Sequence, residues 1–306
     1  MGSPEVALPA LRALLDGPHE VVGVLTRPDA RAGRGHGFRA SPVADAAAGA
    51  GLPALRPSRV GDPDALAAIA GLHPDCAAVV AYGALLPQAA LDAVPLGWVN
   101  LHFSLLPRWR GAAPVQHALF AGDARTGVTT FRIVRELDAG PVYSSLATIV
   151  GADETAGQLL ARLAESGAGV LADTLDAVAV GADPTDQPTA GVSTAPKVGV
   201  ADARIDWTAD AASIDRRIRG CTPAPGAWTV FRGQRVKLGP AQPIDELDRP
   251  LDPGQLAVRS ERDRVAVGTG DGVLTLSTVQ PAGRPALPAS AWARGARPGT
   301  DEGFTR

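Results

Sequence analysis

The stretch VNLHFSLLPRWRGAAP, residues 99–114, ends an apolar run with an amide and an imidazole, Asn100 and His102, two positions apart. Side chains of a strand alternate between its faces, so this pair shares one face while Leu101 takes the other. An amide N–H donates to an oxygen on which negative charge develops, and an imidazole can do the same or move a proton. Side by side at a strand's end, the two suit addition to a carbonyl. A lone histidine there reads first as a cap satisfied by a backbone carbonyl. The residues that follow argue for more, because a polar turn, two arginines and a Pro-opened helix make a ligand-sized surface. His19, His36, His73 and His117 have no comparable neighbourhood.

A histidine used in this way needs an acid to fix its tautomer and balance its cation. Asp138, in ELDAGPVY, follows an apolar run and precedes a Gly-Pro turn. Asp before Ala-Gly is also a common turn former. Both readings stand at this point.

The elements that must position these groups follow from the apolar pattern. VVGVLT at 21–26, CAAVVAYG at 76–83, LGWVNLH at 96–102 and GVTTFRIV at 127–134 read as strands. Helices are predicted at 6–15, 41–50, 63–71, 114–121 and 156–180. The alternation implies an α/β domain over residues 1–180, a sheet with crossovers in which ligands bind beyond the carboxyl ends of the strands. Residues 181–202 lose the periodic apolar pattern to Pro, Thr, Gly and Asp, and read as a linker. From 203 to 306, a helix at 209–219 precedes short strands (AWTVF, RVKLG, GQLAVR, RVAVGTG, GVLTLSTVQP) between Gly/Pro turns, the pattern of a small β-barrel.

Composition adds exclusions. The 306 residues suffice for two domains, and no apolar run approaches the ~20 residues of a membrane span. No charged, apolar leader opens the chain, so a cytoplasmic protein is expected. Cys76 and Cys221 stand far apart without metal-ligand spacing, and no metal is expected. The net charge of −3 divides into 14 basic and 20 acidic residues up to 202, against 15 and 12 beyond it. That asymmetry fits two domains with different surfaces.

NLHFSLLPRWRGAAPVQ together with LDAGPVY resembles the folate-dependent formyltransferases. The resemblance implies a doubly wound, mostly parallel, Rossmann-like sheet, an Asn, His and Asp catalytic set at Asn100, His102 and Asp138, and a folate-binding turn at Ser104, Leu105, Leu106 and Pro107. TRPDARAGRGHGFRASPV at 26–43 is similar to the inserted loop of the branch that acts on methionyl-tRNA. The resemblance makes Arg27, Arg31, Arg34 and Arg39 candidates for binding the initiator methionyl-tRNA. Their charge, with glycines at 33, 35 and 37, suits a flexible segment that orders on RNA.

The likeness continues through ARIDW at 203–207 and GDGVLTLSTVQPAGR at 270–284, which implies an OB-like tail that holds tRNA. The implied reaction transfers the formyl group of 10-formyltetrahydrofolate to the α-amine of methionyl initiator tRNA, catalysed by a monomer. Two other readings remain: formyl transfer to a sugar nucleotide or to water, and a catalytically silent protein that binds RNA or folate. In one respect the chain departs from the family, which opens with an apolar strand before a Gly-Thr-Pro turn. MGSPEVALPAL begins at the turn, so the first strand is expected to be missing and the sheet to be weakened there.

Overall fold

Proline decides where several helices begin, because its fixed φ suits the first helical turn and its missing N–H costs nothing there. α1 (Leu8–Leu15), α2 (Pro42–Gly49), α3 (Pro63–Gly71) and α5 (Pro114–Ala121) all carry one at or next to their first residue. Between α3 and α5 lies the short α4 (Gln88–Leu91), and α6 (Ala156–Ala179), α7 (Ala211–Gly220) and α8 (Ala289–Ala296) follow. Ser41 caps α2 by accepting the Ala44 N–H, and Asp210 caps α7 through Ser213 N–H. The computed structural model describes residues 1–32, 37–244, 250–259 and 264–305. Among these, no helix is long and apolar enough to cross a membrane.

The strands, in chain order, are β1 (Val24–Leu25), β2 (Ala30–Ala32), β3 (Gly37–Arg39), β4 (Ala54–Leu55), β5 (Ala77–Val80), β6 (Trp98–His102), β7 (Arg125–Arg132) and β8 (Val142–Ile149). β9 (Trp228–Phe231), β10 (Gln234–Leu238), β11 (Ala241–Ile244), β12 (Leu256–Arg259), β13 (Arg264–Gly268), β14 (Val273–Leu276), β15 (Thr278–Pro281) and β16 (Leu287–Pro288) complete them. The chain divides into two compact units. Unit 1 comprises Met1–Pro114, Arg125–Ile149 and Leu160–Pro196; the remainder forms unit 2.

In unit 1, β5, β6, β7 and β8 form one sheet in that order, β5 and β6 parallel and the later pairs antiparallel. α6 closes on it where Gly167 admits Leu101; a Cβ at Gly167 would stand 3.0 Å from both Leu101 methyls. β1 pairs only with β4, in parallel and over two residues, although six residues from 21 to 26 read as a strand. The start of the chain stands on its other side. Met1 and Gly2 reach both walls there: the Gly2 N–H donates to the Leu25 carbonyl at 3.0 Å, and the Met1 carbonyl accepts from the Val80 N–H at 2.8 Å.

The Met1 amine donates to the Ala78 carbonyl at 2.6 Å. Beyond Met1 the two walls stand apart around a cleft of about 620 Å³, lined by Leu11, Leu14, Val22, Ala78, Leu171 and Leu175 among others. Alternation turns the Leu25 N–H, both backbone groups of Gly23 and the Ala78 N–H toward it, away from β4 and β6. Burial pushes the Met1 amine down to about 6.

Unit 2 holds two antiparallel four-stranded sheets, β16-β15-β10-β9 and β11-β14-β13-β12. They share a core that includes Ile205, Ile218, Val265, Leu274 and Leu276, and α7 and α8 pack on it. Trp207 and Trp292 both stack on Phe304, with centroids 5.5 and 5.6 Å away. GVLTLSTVQP, which reads as one strand, is divided between the sheets at Ser277, whose hydroxyl and N–H both donate to the Pro240 carbonyl.

Candidate active site

β6 carries Asn100 and His102 on one face, as its alternation requires. β6 runs beside β7 with His102 opposite Thr129 and Asn100 opposite Phe131. The half-exposed Asn100 amide has no hydrogen-bond partner among the described residues and is open to a ligand. His102 is 5 % exposed, with the Phe131 ring edge-on at 6.4 Å. Its Nε2 lies 2.9 Å from the Trp109 carbonyl, which can only accept, so Nε2 carries the proton and Nδ1 the lone pair.

Nδ1 faces Asp138 Oδ2 at 3.8 Å, an ion-pair distance rather than a hydrogen bond. The loop after β7 folds back over the sheet to bring Asp138 there, and Oδ2 accepts the Gly111 N–H at 2.7 Å. Burial lowers the His102 pKa, opposed by Asp138 and by the Trp109 carbonyl. The buried ring is therefore neutral in water-like pH ranges above its ordinary value, with an acid placed to receive its cation.

The turn that follows His102 is held from within. Ser104 is fully buried, its hydroxyl donating to the Arg108 carbonyl at 2.6 Å and its carbonyl accepting from Thr129 Oγ1 at 2.7 Å. Leu106 N–H donates to the same Thr129 oxygen at 3.2 Å. Ser104 thus shapes the turn, while Leu105, Leu106 and Pro107 offer a half-buried apolar surface.

Sequence reasoning passed over the residues that fasten this site. Trp109 and Gly111 lie inside the quoted motif, but their contribution is a carbonyl and an N–H, to which side-chain chemistry is blind. Ser193 and Gln187 come from the stretch read as a linker. Ser193 Oγ accepts the Trp109 N–H at 3.0 Å, and Arg110 makes a parallel bridge with Thr194.

The four arginines of the N-terminal loop fall differently. Arg27 is exposed, and its guanidinium donates to the Gly83 carbonyl at 3.0 Å. Arg31 and Arg39 stand on β2 and β3, which pair as a hairpin with Ala30 opposite Arg39 and Arg31 opposite Phe38. The flanks of the segment are thus paired strands where a flexible loop was expected. Arg39 is exposed, and Phe38 beside it is 72 % exposed. Arg34 lies outside the described residues.

A strand-end amide beside a buried histidine–carboxylate couple, on an α/β sheet, has the groups that addition to a carbonyl requires. The formyl transferase model matches residues 2–175, and that of the formyl transferase C-terminal domain matches 197–297. The chain belongs to the formyl transferase family. It is 58 % identical over 304 residues to the methionyl-tRNA formyltransferase of Thermobifida fusca, covering 99 % of this chain and 97 % of that one. The methionyl-tRNA formyltransferase of Acidothermus cellulolyticus is 55 % identical over 310 residues, covering 97 % and 96 %.

Two solved structures share the fold. WlaRD, a sugar 3N-formyl transferase, is 13 % identical with a TM-score of 0.65 over 93 % of this chain and 97 % of that one. HypX from Aquifex aeolicus in complex with tetrahydrofolic acid is 23 % identical, with a TM-score of 0.58 over 76 % of this chain and 41 % of that one.

Proposed function

We propose that this chain transfers the formyl group of 10-formyltetrahydrofolate to the α-amine of methionyl initiator tRNA. The observation that carries the reading is the open Asn100 amide beside the His102–Asp138 couple, in a chain matching methionyl-tRNA formyltransferases over nearly its whole length. Leu105, Leu106 and Pro107 fit the donor, since a half-buried apolar turn beside a free amide suits a flat ring system with a polar substituent. The donor supplies a formyl group on a nitrogen that can leave.

The side chains divide the work. Asn100 donates to the formyl oxygen as its negative charge develops. Because Nε2–H is held by the Trp109 carbonyl, Nδ1 is the ring nitrogen that takes the proton from the attacking amine. The imidazolium then faces Asp138, which balances its charge. That proton passes to the departing nitrogen of the donor, restoring neutral His102. Free α-amines titrate near ~7.7–8, so the attacking amine has a substantial neutral fraction near pH 7.

Arg31, Arg34 and Arg39 supply positive charge for the RNA, whereas Arg27 is partly committed to the Gly83 carbonyl. The test offers the purified protein formyl-folate with charged initiator tRNA, charged elongator tRNA, an amino sugar nucleotide, and water alone. Formylation of the initiator tRNA, weakening as salt is raised because phosphate contacts release counterions, is expected. Turnover only with the sugar nucleotide or water, or binding without turnover, defeats the reading.

A further inference from the structure

The segment between unit 1's last helix and Lys197 is tied into the catalytic loops rather than passing them by. Val142 and Thr185 exchange two backbone hydrogen bonds, at 2.7 and 2.8 Å, which sets the Gln187 side chain between two loops. Its Nε2 donates to the Asp138 and Gly140 carbonyls, both at 2.8 Å. Its Oε1 accepts from Arg110 Nε at 3.1 Å and Nη2 at 2.8 Å. Both amide protons and both oxygen lone pairs are engaged, the full capacity of a carboxamide.

The residues so held are the neighbours of the chemistry. Arg110 precedes Gly111, whose N–H holds the Asp138 carboxylate. Asp138 has φ +49°, a left-handed conformation unfavourable for a residue with a Cβ and in need of outside support. Farther along, Arg110 N–H donates to the Ser193 carbonyl at 2.9 Å and Ala195 N–H to the Arg110 carbonyl at 2.7 Å. Gly111 packs so closely there that a Cβ would lie 2.6 Å from the Ala195 oxygen.

We propose that Gln187 is a positioning residue for the reaction: its carboxamide locks the Asp138 loop to the Arg110 loop and so sets where the Asp138 carboxylate stands against His102. The assignment rests on the catalytic reading of His102 and Asp138 given above. A glutamate could not replace it, because a carboxylate facing the Asp138 and Gly140 carbonyls would repel both. The charged group facing His102 is Asp138; Arg110 is turned to Gln187, with Glu136 3.7 Å from its Nη1.

The experiment follows the His102 ring by NMR across pH, its resonance assigned by absence in His102→Asn, in parallel with steady-state kinetics. Gln187→Met keeps the volume and removes all four hydrogen bonds. It should lower the His102 titration midpoint in the direction produced by Asp138→Asn, and reduce kcat by on the order of 10²-fold with the donor's KM nearly unchanged. Gln187→Asn, one methylene shorter, should shift the midpoint less in the same direction and stands in if the methionine variant does not fold. A midpoint equal to the wild type's in the folded variant, whatever happens to melting or rate, overturns the assignment. Failure of the wild type to formylate any charged tRNA would instead defeat the functional reading, and the titration would still decide the position of Asp138.

Discussion

Two buried basic groups lie along the sheet of unit 1, His102 on β6 and the Met1 amine beside β5. Burial lowers both pKa values. Around His102 each displaced water has a replacement: the Trp109 carbonyl on Nε2, the Asp138 carboxylate facing Nδ1, and the Gly111 N–H on that carboxylate. Around Met1 there is the Ala78 carbonyl, and past it a cleft of about 620 Å³ toward which the β1 and β5 backbones turn polar groups. The difference separates two uses of a buried charge. At His102 a counter-charge faces the ring, as the proposed proton transfer requires, whereas at Met1 none stands among the described residues and protonating the buried amine only costs stability.

The largest expected effect is at the furnished end. His102→Asn retains an amide that can donate to the Trp109 carbonyl, so melting and donor binding should change little. Turnover should fall by roughly 10²–10⁴-fold, the range for a positioned acid–base group. Near-normal kcat in this variant would remove the distinction between the two ends.

How far the sequence foretold this contrast depends on which physical signal each part carries. α3 and α5 begin and end where the pattern placed them, because Pro63 and Pro114 mark their first turns. β8 was missed: VYSSLATI lies on an edge with most side chains exposed, so it has no alternation to betray it. Asn100 and His102 were legible because period two puts them on one face. Asp138 was recognised by resemblance, and its approach to His102 depends on a fold-back that no local pattern encodes. Gln187 was illegible, since PTDQPTAG has the composition of a linker and its four hydrogen bonds reach residues 47–77 positions away.

A second expected effect is at the unfurnished end. Five alternating apolar residues fused ahead of Met1 would extend its direction between β1 and β5, pair the Leu25, Gly23 and Ala78 groups, and fill the cleft. A group that exchanges water for a strand partner contributes about 0.5–1.5 kcal/mol, so pairing the four should raise the melting temperature by roughly 5–20 °C. Activity per milligram should rise with the folded fraction, while kcat per folded molecule stays the same. An unchanged or lower melting temperature in a soluble, monodisperse fusion would show that the cleft does not take a strand.

The smallest effect distinguishes the two groups by pH. A base whose folded pKa is depressed favours folding most when neutral, so its contribution is present above the unfolded pKa and is lost as pH falls through the folded one. For Met1 the window runs from about 8, its unfolded value, to about 6 in the fold. The loss across it is about 2–3 kcal/mol, at 1.36 kcal/mol per unit. For His102 the loss begins near its ordinary ~6.5 and continues to more acid pH. Urea unfolding of the wild type from pH 9 to 5 should therefore show an early decline and a later one. The fused strand replaces the Met1 amine by an amide and should abolish the early decline alone; His102→Asn should flatten only the later one. If the fusion keeps the slope between pH 8 and 6, the amine is not the group responsible, and the two ends differ in chemistry without differing in linkage to folding.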